Sequence, residues 1–391
     1  MDVRAVARAV EDRRDEFTEA LGALVAIDSG TYTPKGVNEV ADVLEGRFRG
    51  SGWEVDRRPH RPEGEGNQLG DVLVARVEGS GSRRVLLVCH MDTVWPEGTA
   101  AERPFRVQGD RGYGPGVSDA KSGLLAGIEA VDTLRRLGMD SFGHVTFVCN
   151  PDEEVGSPFS GDAITEVGRQ SDVAFVLEAG RANGDIVSAR KGITTIHVEL
   201  TGRAAHAGVE PEKGHHAVLD GAMKTVALQG VNGRFPGVTV NVGVLSGGTR
   251  SNVVPDRCVL EIEVRAWESA ALKEAMEAIR RILELPNVPG VRAAVDLTTE
   301  YPPMERGPSS ARLVETAQRL ARDLGFDLAD ASTGGVSDAN LVAAAGTPVL
   351  DGLGPVGGDD HSPDEWVDLA GVAPRVAILA GLIATGGPAV A

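Results

Sequence analysis

The 391-residue chain is poor in cysteine, in aromatic residues and in basic side chains, and it has no long apolar run. Its three cysteines, Cys89, Cys149 and Cys258, form an odd set without a CxxC pair, and each sits in an apolar stretch. This argues against a disulfide framework and points to buried free thiols in a reducing compartment. Acidic residues number 57 against 39 basic ones, a formal net charge of −18. A surface of that sign repels nucleic acid and anionic lipid, so neither is an expected partner. The excess can serve solubility, and it can also serve cations, because metal sites consume carboxylates. No apolar stretch reaches transmembrane length, and the opening MDVRAVARAVEDRRDEF is too charged for a signal peptide. A soluble, cytoplasmic protein is the expectation. Aromatics make up only 4%, while glycine and alanine are abundant.

What is present is globular, with 42% hydrophobic and 25% charged residues. The length suits two domains, or one domain carrying an insertion. Residues 2–26 read as one amphipathic helix and Val37 to Gly50 as another. From Asp71 onward, short all-apolar runs end in polar clusters and alternate with helical segments such as Gly123 to Leu137. The runs are Val85–Val88, Val145–Val148, Val173–Leu177 and Thr347–Leu350. Continuous apolar strands of this length suit a sheet covered on both faces, hence an α/β fold with a mostly parallel sheet flanked by helices.

The middle differs. The alternating stretch Thr194 to Thr201 reads as a half-exposed strand. A helix over His215 to Leu228, strands over Val238 to Leu245 and Arg257 to Ala266, a helix over Glu268 to Leu285 and a strand over Val291 to Thr299 follow. The order β-α-β-β-α-β predicts an inserted ferredoxin-like α+β domain. The expected division is 1–192 and 306–391 for the α/β domain and 193–305 for the insert. The Pro/Gly-rich stretch from Arg61 to Gly70 reads as a surface loop.

In open α/β sheets, ligands gather beyond the carboxyl ends of the strands. Those ends carry His90 and Asp92, Glu153 and Glu154, Glu178, and finally Asp359-Asp360-His361. Asp119 lies in a Gly-rich loop just before a helix. Imidazoles and carboxylates converging on one sheet edge suit zinc or a similar divalent ion. Each piece alone has an ordinary reading. His90 with Asp92 can be a surface pair, Glu178 a solvated strand end, the DDH a solvated turn and Asp119 a helix cap. The joint pattern favours a site. Asp119-Ala-Lys121-Ser122 is not a phosphate loop, because that motif needs glycine where Pro115 and Ala120 stand. Cys89 and Cys149 read as structural.

The stretches His90-Met-Asp-Thr-Val94, Gly114-Pro-Gly-Val-Ser-Asp119-Ala-Lys, Asp152-Glu-Glu-Val-Gly156 and Asp360-His361-Ser-Pro-Asp364 resemble a known family. It is the co-catalytic zinc exopeptidase family of bacterial glutamate carboxypeptidase, aminoacylase and acetylornithine deacetylase. The resemblance covers nearly the whole chain, including the insert, which that family uses as a lid and dimerisation surface. It implies two divalent ions per chain bridged by Asp119, with zinc, cobalt and manganese all compatible. His90 and Glu178 would complete one site, and Glu154 and His361 the other. Glu153 would be the general base and Asp92 would orient His90. It further implies that His206 reaches the partner subunit's site, that Asn252 and Arg265 hold a substrate carboxylate, and that backbone N–H groups of Gly334 and Gly335 line the pocket. His215 and His216 read as helix-start residues. One departure stands out. Glutamate-selective members carry a basic residue before a proline where this chain has Glu300-Tyr301-Pro302, which puts an acidic preference in doubt.

The expected activity is release of an amino acid with a free carboxylate from a peptide, as a metallocarboxypeptidase, or from an N-acyl conjugate, as a deacylase. A silent binding dimer and an aminopeptidase are the competing readings. The complete ligand set argues against the first, and Asn252 with Arg265 against the second. On extended backbone, Glu153 and Glu154 would point to opposite sides and divide the work of base and ligand.

Overall fold

A computed structural model describes residues 1–62 and 67–385. Residues 63–66 of the expected surface loop lie outside the described residues. The chain forms two compact units. One comprises Met1–Ser188, Arg306–Ser332 and Ser337–Ala391, and the other Ala189–Glu305 with Thr333–Val336. The short Thr333–Val336 loop thus groups with the insert, not with the C-terminal segment that contains it.

The first unit is built on a six-stranded sheet. Its spatial order is Glu54–Arg58, Val72–Glu78, His144–Asn150, Arg84–His90, Val173–Val176 and Val349–Leu350. The last four run parallel, and the first two join antiparallel. The runs Val85–Val88 and Val173–Val176 are fully buried. Each such Val or Leu contributes about 1.5 to 3 kcal/mol of burial. The helices Pro34–Gly50, Ser122–Arg136, Pro308–Leu324 and Val372–Thr385 share that core. The Ser122–Arg136 helix packs so closely that a Cβ on Gly123 would lie 2.2 Å from the Leu177 carbonyl. The expected single helix over 2–26 is two, Val3–Glu11 and Arg14–Val25, because the Arg13 N–H turns back to the Val10 carbonyl. The second helix starts earlier than expected, with Pro34 in its first turn.

The second unit has the strands Gly192–Thr201, Thr239–Gly247, Arg257–Ala266 and Arg292–Tyr301 and the helices Ala217–Gln229 and Ser269–Glu284. Its antiparallel sheet places Gly192–Thr201 and Arg257–Ala266 inside, with Thr239–Gly247 and Arg292–Tyr301 at the edges. That is the ferredoxin-like order the chain sequence predicts. His216 caps the first helix, its Nδ1 accepting from the Leu219 N–H at 3.0 Å. Within this unit, the polarity of the Ala217–Gln229 helix is inverted. Asp220 and Lys224 are buried and 3.3 Å apart, while Leu219, Met223 and Val226 are exposed. The pair closes a loop. Asp220 accepts from the N–H groups of Asn287 and Val288, and Lys224 donates to the carbonyls of Ile282 and Leu285 at the end of the second helix.

Candidate metal centre

Parallel strands bring their carboxyl ends together, and His90 lies directly opposite Asn150 in the sheet register. His90 is buried. Its Nδ1 donates to the backbone carbonyl of Asp92 at 3.0 Å, which turns Nε2 into the site. There Nε2 lies 3.0 Å from Asp119 Oδ1 and 3.8 Å from Glu178 Oε2. From the far side, His361 Nε2 lies 3.1 Å from Asp119 Oδ2 and 3.2 Å from Glu154 Oε2. One carboxylate therefore faces two imidazoles, each accompanied by one further acid. Donor atoms of His90, Asp119 and Glu154 lie within 4.8 Å of one another, and Glu154 Oε1 is buried with no hydrogen-bond partner in the structure. These donors, one of them an orphaned oxygen, fit hard or borderline divalent ions.

The electrostatics fit the same groups. Burial pushes the Glu178 carboxyl up to about 7 and raises Glu154 too. Glu153 is raised well above the carboxylate range by burial and by the neighbouring Glu178 charge. Burial would lower the His90 imidazole, but the carboxylates around it outweigh that and raise it well above normal. Hydrogen bonds to Asp119 and Glu154 raise His361 to about 10. Burial would raise Asp119, yet the two imidazoles hold it below the usual range. The two imidazoles thus place positive charge beside these acids. His361 and Asp359 both adopt positive φ, 61° and 57°, an uncommon backbone state that clusters at functional sites.

The loop bearing Glu153 and Glu154 departs from expectation. These residues form a single 3-10 turn, Glu153–Val155, not extended backbone, so the turn itself separates the two side chains. Asp92 also differs. Its carboxylate is 3.4 Å from His90 Nδ1, and its main partners are the Thr31 hydroxyl at 2.6 Å and the N–H groups of Glu153 and Glu154 at 3.2 and 3.3 Å. Asp92 thus orients His90 mainly through its own carbonyl and pins the turn through its side chain. Asp152 is buried and accepts from the N–H groups of Phe159 and Ser160 and from the Ser160 hydroxyl, so it anchors the turn of chain that follows.

Three contributors are not found by reading the sequence. Thr31 supports Asp92. Asp338 accepts from Asn150 Nδ2 at 2.8 Å and from the Ser157 hydroxyl at 2.5 Å, bracketing the Glu153–Glu154 turn from both ends. Glu365 accepts from the loop that carries Asp119. Only Glu365 leaves a signal, an acid four residues after His361 beside an apolar Trp-Val pair.

The residues expected to bind substrate lie in the second unit. The loops of His206 and Asn252 are tied by Ala207 N–H to the Asn252 carbonyl at 3.0 Å and by Val254 N–H to the Ala205 carbonyl at 2.9 Å. His206 Nδ1 accepts from the Gly208 N–H. Arg265 is already engaged. It pairs with Glu263 through Nε at 2.7 Å and Nη2 at 3.1 Å, and it donates to the Gly334 carbonyl. Arg190 likewise donates to the Gly335 carbonyl at 3.1 Å. Two guanidiniums therefore hold the carbonyl side of the Gly334–Gly335 loop. Tyr301 is buried.

Residues 86–385 match the model of peptidase family M20/M25/M40. Carboxypeptidase G2 of Pseudomonas sp. (strain RS-16) is 30% identical over 379 residues, spanning 96% of this chain and 90% of that protein. Acetylornithine deacetylase of Proteus mirabilis is 25% identical, over 78% of this chain and 80% of that protein. The crystal structure of the aminopeptidase PepT from Bacillus cereus superposes with a TM-score of 0.78 at 23% identity, covering 95% of this chain and 98% of that one. No helix among the described residues is long and apolar enough to cross a membrane.

Proposed function

The chain belongs to peptidase family M20/M25/M40 and is an amide hydrolase of that family, and within it we propose a two-metal carboxypeptidase that releases an amino acid with a free carboxylate. The observation that carries this reading is Asp119, whose two oxygens face His90 and His361 separately. His90, Glu178 and one Asp119 oxygen would hold one ion, and His361, Glu154 and the other oxygen the second. Divalent ions held by these residues would supply a Lewis acid for an amide carbonyl and lower the pKa of water. Glu153, its proton affinity raised by burial, takes the proton of the attacking water and delivers it to the leaving nitrogen. Asp92 and Asp152 hold backbone on either side of Glu153, and Asp338 holds the Asn150 and Ser157 side chains that flank it, so that its carboxylate stays where the proton is moved. Arg265 keeps guanidinium N–H groups for a substrate carboxylate beyond those bonded to Glu263 and Gly334.

The test is a panel of dipeptides and N-acyl amino acids, each with a free or amidated C-terminus, assayed with zinc, cobalt or manganese. Turnover of free-carboxylate substrates only, abolished by chelation, is expected. Activity that survives chelation overturns the reading. Faster turnover of N-acyl amino acids than of dipeptides would assign the chain to deacylation instead.

The second unit serves in this reading as a lid and a homodimer surface, with His206 acting on the partner's site. The exposed Leu219, Met223 and Val226 face of its inverted helix supports this assignment. Mixing the inactive variants Glu153→Ala and His206→Ala tests it. If His206 acts across the dimer, each mixed dimer has one complete site, and about a quarter of wild-type activity returns on random mixing. No recovery, with mixed dimers present, places His206 in its own subunit's site.

A further inference from the structure

Asp119 sits on irregular backbone. Its φ and ψ are −112° and 90°, those of Ala120 are −131° and 33°, and Gly116 has a φ of 71°. Such a loop has no regular hydrogen-bond ladder of its own to hold it. Buried N–H groups must nonetheless find partners. Val117 N–H reaches the Gly114 carbonyl at 3.2 Å. The other three N–H groups from Gly116 to Asp119 end on one side chain. Glu365 Oε1 accepts from Ser118 at 2.9 Å and from Asp119 at 3.1 Å, and Oε2 accepts from Gly116 at 2.9 Å. Trp95 Nε1 adds a fourth bond to Oε2 at 3.2 Å. Glu365 is 1% exposed.

A carboxylate enclosed by three N–H groups of one four-residue loop is an internal anion in a nest-like cradle. Both its oxygens are occupied by donors, so it is not a ligand for an ion. It also lies four residues beyond His361 on the same short segment, whose turn is closed by the Glu365 N–H to the Ser362 carbonyl at 3.2 Å. A single stretch of chain therefore delivers one metal-facing imidazole and the acceptor on which the opposing Asp119 loop is moulded.

We propose that Glu365 is a positioning residue that templates the Gly116–Asp119 loop and so sets Asp119 with one oxygen toward His90 and the other toward His361. This rests on the two-metal reading for its consequence but not for its geometry, which allows the two to be tested apart. Glu365→Gln keeps the shape but turns an amide N–H₂ against N–H donors. In the metal-free protein, hydrogen exchange of the peptide segment containing Gly116 to Asp119 should accelerate about tenfold or more, while the sheet strands keep their protection. Titration with zinc or cobalt should show affinity for the pair of ions weakened about 10- to 100-fold, as loss of a ligand-orienting partner does. In the loaded enzyme kcat should fall while KM stays near the wild-type value, which a general loss of packing would not produce. Glu365→Asp, which retains a carboxylate, should recover part of the affinity and of the exchange protection, and it carries the test if the glutamine variant does not fold. Unchanged exchange and unchanged affinity in both variants overturn the proposal. Failure of the wild-type protein to bind two ions overturns the two-metal reading instead and leaves the exchange result to judge Glu365.

Discussion

The two units bury charge in opposite ways. In the first, Asp92, Asp152, Asp338, Asp351 and Glu365 are buried, with Lys121 and Arg375 as the buried Lys and Arg side chains. Those cations are committed elsewhere. Lys121 donates to the Ile27 carbonyl, and Arg375 to the carbonyls of Gly184, Gly352 and Gly354. In the second unit Asp220 and Lys224 face each other, and each also satisfies the backbone of the same loop. The unit's further buried cation, Arg190, donates to the carbonyls of Gly335 and Val336. What that unit leaves open is apolar and on the outside, on the helix of Asp220 and Lys224. The first unit's buried acids are met by N–H and hydroxyl donors, whereas the second unit's buried carboxylate faces an ammonium.

The largest effect expected from breaking this contrast is chemical. Glu153→Ala removes an acid of the first unit that neither proposed ion position uses, so ion binding should persist. Activity should drop by roughly 10²- to 10⁴-fold, the usual contribution of a general base. Calorimetric titration with zinc beside steady-state kinetics checks both halves. Loss of ion binding in this variant would make Glu153 a ligand and not the base. Next in size is the closed pair. Lys224→Met strands a buried carboxylate and should cost about 3 to 5 kcal/mol in urea unfolding, while Asp220→Asn combined with Lys224→Met recovers part of it. If the single change costs no more than a surface substitution, Asp220 does not rely on its cation.

Much of the acid-rich side of this contrast is legible in the order of residues alone. The apolar runs ending at Cys89 and Cys149 are strands because every side chain in them is buried, and their polar successors must then fall at one sheet edge. That reasoning reaches His90, Glu154, Glu178 and His361. What it does not reach is long-range and polar. Asp338 acts on the Asn150 and Ser157 side chains and Glu365 on backbone N–H groups, all more than 180 residues away, and no local period marks such a partner. The inverted helix is hidden for the same reason. Its Asp220 and Lys224 bind the loop at 285–288, more than 55 residues on, which helical periodicity does not mark. The Glu153–Glu154 turn reads as extended backbone because its shape is imposed by Asp92, from a different strand end.

A smaller effect separates the units by pH after chelation. Glu178 and Asp338 are each pushed up to about 7, chiefly by burial. The folded metal-free protein therefore keeps protons that the unfolded chain releases near about pH 4. The stability these groups contribute is present below that pH and is lost as the pH rises through about 7. His361, raised to about 10 by Asp119 and Glu154, acts in the same sense from about pH 6.5 upward. Glu263 of the second unit is lowered by Arg265, so its contribution is lost only on acidification. Hydrogen exchange of chelated protein between about pH 5 and 9, corrected for intrinsic rates, should show the first unit loosening ahead of the second, and added zinc should suppress the difference. Equal loosening of both units would contradict the assigned charge surplus.

The smallest effect on stability carries the most information about the second unit's open side. Val226 is 75% exposed and Met223 46%, so replacing both with glutamate removes little that a single chain buries. A folded monomer should lose no more than about 0.5 kcal/mol per substitution, as surface changes do. If this face joins two copies, the same changes place like charges against each other across a two-fold axis, and sedimentation should show the dimer replaced by monomer. Recovery of activity in the Glu153→Ala and His206→Ala mixture should disappear with it. A doubly substituted chain that sediments as the wild type does would leave the apolar face without a role in self-association. The inversion of that helix would then serve only the inner side, where Asp220 and Lys224 tie down the loop from Leu285 to Val288.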